Sequence, residues 1–112
     1  MTRPHLNRPL HLEAPLPTSD GAGGHSTAWV DLGVLWAEID ALSGREAAGR
    51  GTPLSVQRYR ITVRAAPVGA LARPKPDQRF REGSRRVRID AVAEQDAAGR
   101  YLTCFATEEL AT

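Results

Sequence analysis

The chain has one cysteine, Cys104, one lysine, Lys75, and six aromatic residues among 112. A single cysteine excludes an intramolecular disulfide and fits a reducing compartment. Cys104 lies in the strand-like run Tyr101 to Thr107 without a neighbouring His or second Cys, so it reads as a small buried hydrophobe. No stretch approaches the roughly 18 apolar residues a membrane helix needs. The opening residues MTRPHLNRPL lack a signal-peptide core. The expectation is a soluble protein made in the cytoplasm, with no membrane partner. His5, His11 and His25 are widely spaced, with no Cys or carboxylate at metal-ligand spacing, so neither a metal nor a cofactor is expected. The DGAGG stretch, Asp20 to Gly24, lacks the Lys-Ser/Thr ending and the strand-to-helix context of a phosphate loop, and reads as a turn. No acid–base pair stands out, so no catalytic residue is expected and the chain is not read as an enzyme.

At this length the chain is one domain, 1–112, with a modest core. Apolar residues make up 41% and aromatics 5%, so that core must rest mainly on Val, Ile and Leu. Assembly could supply part of the stability. Leu10, Leu12 and Ala14 alternate with His11 and Glu13, a short first strand stopped by Pro15 and Pro17. An extended run through Trp29 breaks around Asp31 to Gly33. A second main strand follows, with Leu35, Ala37 and Ile39 on one side and Val34, Trp36 and Glu38 on the other; its apolar first half predicts cover on both faces. In the third, Tyr59, Ile61 and Val63 oppose Arg58, Arg60, Thr62 and Arg64, the clearest two-residue period in the chain.

Pro67, Pro74 and Pro76 make 66–77 a proline-rich loop. Phe80 starts another short strand, the turn Glu82 to Ser84 follows, and Val87, Ile89 and Ala91 are expected inside, with Arg86, Arg88 and Asp90 outside. Arg100 to Thr107 is the last strand. Short strands separated by turns, without an amphipathic helix, define an all-β fold: a small antiparallel barrel or sandwich of about six to seven strands. The predicted core includes Trp36, Ile39, Tyr59, Ile61, Val63, Ile89 and Phe105.

Between the second and third main strands runs a long polar connection, 43–56, rich in Gly and Ala, with Arg45, Glu46 and Arg50 as its charges. A connection this long in a compact domain is either functional or disordered. Arginines dominate the cations, fourteen against one lysine, and five of them fall between Arg79 and Arg88. Alternation puts Arg58, Arg60 and Arg64 on one face at about 6.5–7 Å per step. Such a face can pair with carboxylates of a neighbouring subunit, contact phosphates, or simply be solvated. Arg86 and Arg88 share these readings.

LNRPLHLE, DGAGG followed by Trp29, LWAEI at Leu35 to Ile39, Gly44 with Glu46, YRITVR at Tyr59 to Arg64, FREGSRRVRI and GRYLTCF occur in that order. In order and spacing the chain resembles the phage head–tail joining family, the head-closure or stopper proteins of long-tailed phages and alphaproteobacterial gene transfer agents. The resemblance covers about residues 6 to 108. An aromatic usual in the family's "gRxyrI" run is replaced here by Arg86 or Val87.

The resemblance implies a small β-barrel connector domain that assembles as a hexameric or dodecameric ring. Portal and adaptor proteins would lie above it, and tail-terminator or tail-tube proteins below, at the head–tail boundary of a virion or gene-transfer-agent particle. It further implies that loop 43–56 projects toward a channel holding packaged double-stranded DNA and gates it, with Gly44, Arg45, Glu46, Gly49, Arg50 and Gly51 as its working residues. The competing reading is a monomeric nucleic-acid-binding barrel of the OB kind, with the arginine strands as its groove.

Overall fold

Six antiparallel strands close on themselves in the computed structural model, which describes residues 3–19, 21, 23–42 and 57–109. They are β1 (Arg8–Ser19), β2 (His25–Ala41), β3 (Arg58–Arg64), β4 (Arg79–Glu82), β5 (Arg85–Glu94) and β6 (Tyr101–Glu108). Around the barrel their order is β1-β2-β3-β6-β5-β4, and β4 returns to β1 through the pairs His11↔Arg81, Leu12↔Phe80 and Glu13↔Arg79. Within the barrel, closure pairs the sheet edges that would otherwise recruit other strands.

Alternation fills the interior. Leu10 and Leu12 of β1, Ala37 of β2, Ile61 and Val63 of β3, Phe80 of β4, Ile89 of β5, and Leu102, Cys104 and Ala106 of β6 are all buried. Tyr59 and Val87 join them at the margin, and Ile39 packs against the cluster while partly buried. Burying each large apolar side chain stabilises the fold by about 1.5–3 kcal/mol relative to exposing it. Residues 65–78 contain turns and no strand, although Pro74 and Gln78 are buried.

Four details of the strand reading are corrected. First, Pro15 and Pro17 do not stop β1, which continues to Ser19. The two prolines are two residues apart, so their missing N–H groups fall on the same edge. Beyond Glu13 β1 has only β2 beside it, so the opposite edge accommodates both. Second, Asp31 to Gly33 is a bulge rather than a break. Leu12 pairs with Gly33 and Glu13 with Asp31, leaving Leu32 as the extra residue in a 17-residue strand. Gly33 sits at φ 120°, a backbone region that favours glycine.

Third, a bulge in β5 shifts the phase after Ile89. Ile89 pairs with Ala106 but Ala91 with Phe105, so Ala91 is exposed and Val92, opposite Cys104, turns toward the core. Fourth, Trp36 is not a core residue. It is 56% exposed, and its neighbour on the same face, Val34, is 48% exposed, so the outer face of β2 is uncovered. Phe105 likewise lies on the outer face, partly buried between Arg60 and Ala91, because Leu102, Cys104 and Ala106 take the inward positions of β6.

The β1–β2 hairpin outruns the barrel. From Ala14↔Val30 to Ser19↔His25 the two strands pair only with each other among the described residues. Those six pairs make a two-stranded arm about 20 Å long, consistent with principal extents of 54 × 37 × 24 Å.

Candidate functional site

The interior is filled, and two charged clusters organise the described outer surface. At the root of the arm, Glu13 is the buried hub. Its Oε1 accepts a hydrogen bond from Arg79 Nε at 2.7 Å, and its Oε2 one from Arg81 Nε at 2.9 Å. Arg79 also lies 3.4 Å from Glu109 and stacks over Trp29, 3.8 Å from the ring centre. Arg81 reaches to 3.8 Å from Asp31, which in turn bonds His11 Nδ1 at 2.8 Å. Burial pushes the Glu13 carboxyl upward, but the hydrogen bonds and charges of Arg79 and Arg81 outweigh it and hold the group below the usual carboxylate range. The cluster ties both strands of the arm to β4 just where the arm leaves the barrel.

A second chain of contacts runs across β1, β4, β5, β3 and β6. Arg8 Nε donates to Glu82 at 2.9 Å, Arg85 stands 3.6 Å from both Glu82 and Glu108, and Tyr59 Oη donates to Glu108 at 2.9 Å. Arg85 also covers the Tyr59 ring at 4.8 Å. The hydrogen bond from Arg8 lowers the Glu82 carboxyl pKa against the opposing effect of burial. Burial, helped by the bond to Glu108, raises that of the Tyr59 phenol. Among the described residues no buried side-chain polar atom lacks a hydrogen-bond partner.

The arginines singled out from the sequence lie on the outer faces of β3 and β5. Arg58 and Arg88 both sit opposite Thr107, in one row across β3, β6 and β5. Asp90 accepts a 2.6 Å bond from Thr107 Oγ1 and lies 3.7 Å from Arg58, while Arg88 is 3.3 Å from Asp77. Arg60, Arg64 and Arg86 are exposed and have no carboxylate partner among the described residues. Arg64 stands apart at the other end of β3, over the Tyr101 ring at 6.0 Å. Gly44, Arg45, Glu46, Gly49, Arg50 and Gly51 lie outside the described residues.

Sequence reasoning missed the arm, the Glu13 hub and the apolar surface. Leu16 and Val30 are exposed on the arm, Val34 and Trp36 on the outside of β2, and Val68 and Leu71, 85% and 70% exposed, in the loop before β4. Exposed apolar patches of this kind mark interaction surfaces. Trp36 carried a usable signal, since it alternates with inward Ala37, but sequence alone does not say which face is covered.

An all-β barrel with a sealed interior, a projecting arm and an apolar, arginine-rich exterior has the build of a structural assembly module. The phage head completion protein family matches residues 1–109, and the chain belongs to that family. A search of curated proteins finds no match. Among solved structures, a chain from the virion of a native gene transfer agent particle is 55% identical, covering 98% of this chain and 100% of that one, with a TM-score of 0.81. A solution structure of a Shigella flexneri 2a protein is 24% identical over 96% of each chain, with a TM-score of 0.68, a likeness of fold.

Proposed function

We propose that this protein is a head–tail connector of a gene transfer agent or tailed-phage particle, a stopper subunit that forms a ring between portal-side and tail-side proteins. The observation that carries the reading is the 55% identity, over nearly the whole of both chains, to a component of a native gene transfer agent virion. The fold supports it, because a barrel that completes its own core can present arm, outer strand faces and loops to neighbours. Closed cyclic symmetry demands two different complementary faces on each subunit. The arm and the outside of β2 offer one, and the arginine face of β3 and β5 another. Synthesised in the bacterial cytoplasm, the protein acts at the head–tail interface of the particle.

In this reading loop 43–56 occupies the channel and yields during ejection, and its glycines, Gly44, Gly49 and Gly51, give it the backbone freedom to do so. Packaged double-stranded DNA is then its neighbour. Deletion of residues 45–51 tests this gating role. The expected result is a folded barrel with particles that lose DNA or lack tails; normal DNA retention and transfer by the deletion variant would overturn it.

A further inference from the structure

Three outward side chains form a row across β2, β3 and β6. Arg64 pairs in register with Tyr101, and one step beyond the Ala37↔Val63 pair the same register sets Arg64 beside Trp36. Two hollows meet at Arg64. One, of about 480 Å³, is lined by Arg3, Arg64, Gln95, Asp96, Arg100 and Tyr101. The other, of about 390 Å³, is lined by Leu6, Val34, Leu35 and Trp36, with Arg64 again.

The charges in the first hollow do not cancel. Arg3, Arg64 and Arg100 have no carboxylate partner among the described residues, in contrast to Arg8, Arg58, Arg79, Arg81, Arg85 and Arg88. The single acid present, Asp96, uses its Oδ1 to accept the Arg100 backbone N–H at 3.0 Å. Three guanidinium groups thus line the hollow with one carboxylate, which has one oxygen engaged by its own turn. Exposed like charges held together in a hollow repel one another, and an anionic ligand would relieve that repulsion.

We propose that this corner of the barrel docks an acidic segment of a partner protein, its carboxylates received by Arg3, Arg64 and Arg100 and a large apolar side chain seated against Trp36. Arginine suits the first half of the task because its planar fork binds carboxylates bidentately. A half-exposed tryptophan beside aliphatic walls is the usual make-up of an interface anchor. The apolar hollow argues for protein over nucleic acid. Leu6, Val34 and Leu35 offer no side-chain hydrogen bond to a base edge, whereas a leucine or phenylalanine finds apolar contact with these three side chains and the Trp36 ring.

The test is amide and indole NMR of the full chain, titrated with three probes: a peptide of glutamates flanking one phenylalanine, the same peptide with glycine for phenylalanine, and a short DNA duplex. The expected result is saturable shifts at Arg64, Arg100, Tyr101 and the Trp36 indole with the phenylalanine peptide. Glycine should weaken that binding, and rising salt should weaken it further. Arg64→Glu should weaken it at least about ten-fold, while Lys75→Glu, an equal change of charge in the proline-rich loop, leaves it intact. Unchanged shifts away from the corner verify that Arg64→Glu is folded. Tighter binding of the duplex at these same residues, shifts scattered elsewhere, or no saturable binding would each overturn the proposal. Particle completion is not read in this experiment, so its failure leaves the connector reading standing.

Discussion

The barrel body and the β1–β2 arm use the same strand grammar to opposite ends. In the body each strand has two partners, and one face of each is buried among Leu10, Leu12, Ile61, Phe80, Ile89 and Leu102. In the arm each strand has one partner, and Leu16 and Val30 remain exposed. An isolated two-stranded hairpin is marginal in water. The arm therefore depends on its root, where Glu13, Arg79, Arg81 and Trp29 bind it to β4. The difference separates two duties: the body supplies stability, and the projecting elements keep their apolar surface for partners.

The comparison breaks most readily in the body. Phe80→Ala should cost about 3–5 kcal/mol, measured by denaturant unfolding, because removing a fully buried ring leaves a cavity in the barrel interior. A loss under about 1 kcal/mol would mean the core is not where stability resides. At the root, Glu13→Ala should cost about 3 kcal/mol by leaving Arg79 and Arg81 facing each other without their shared carboxylate. Hydrogen exchange in Ala14–Ser19 and His25–Val30 should rise more than in β3 or β6.

The same carboxylate predicts a pH dependence. The folded pKa values of Glu13 and Glu82 are depressed, so their contribution is fully present above the unfolded value near 4.3. It is lost as pH falls through the lower folded values. Glu13→Gln should therefore flatten the acid limb of a stability–pH curve, and an unchanged limb would remove Glu13 from that role. The smallest effect concerns Cys104, whose thiol burial pushes up to about 12. A thiol reagent at neutral pH should leave the native protein unlabelled and modify it readily once it is denatured.

Much of the body was legible because a strand with one buried face leaves a two-residue period. Tyr59, Ile61 and Val63 carry it without interruption, and all three are buried. Where a bulge intervenes the period misleads: the extra residue in β5 sends Ala91 outward and Val92 inward. The prolines of β1 misled for a related reason, since their cost depends on which edge lacks a neighbour, and that is decided by β4 more than sixty residues away. The Glu13–Arg79 and Glu13–Arg81 pairs, 66 and 68 residues apart in sequence, left no local trace at all. Trp36 reads as core by composition and proved exposed because no described strand or loop covers its ring on the outer face of β2. Connection 43–56, with Arg45, Glu46 and Arg50, stood out by its length and polarity, whereas a channel role for it came only from the family resemblance.

A doubly substituted Leu16→Ser, Trp36→Ser protein tests the division most directly, with thermal unfolding and incorporation into particles measured side by side. Both side chains are more than half exposed, so the account predicts a Tm within about 4 °C of the parent. Incorporation should nevertheless fail, leaving particles incomplete. A large fall in Tm, or normal particles carrying the variant, would contradict the separation of a stabilising body from a docking exterior.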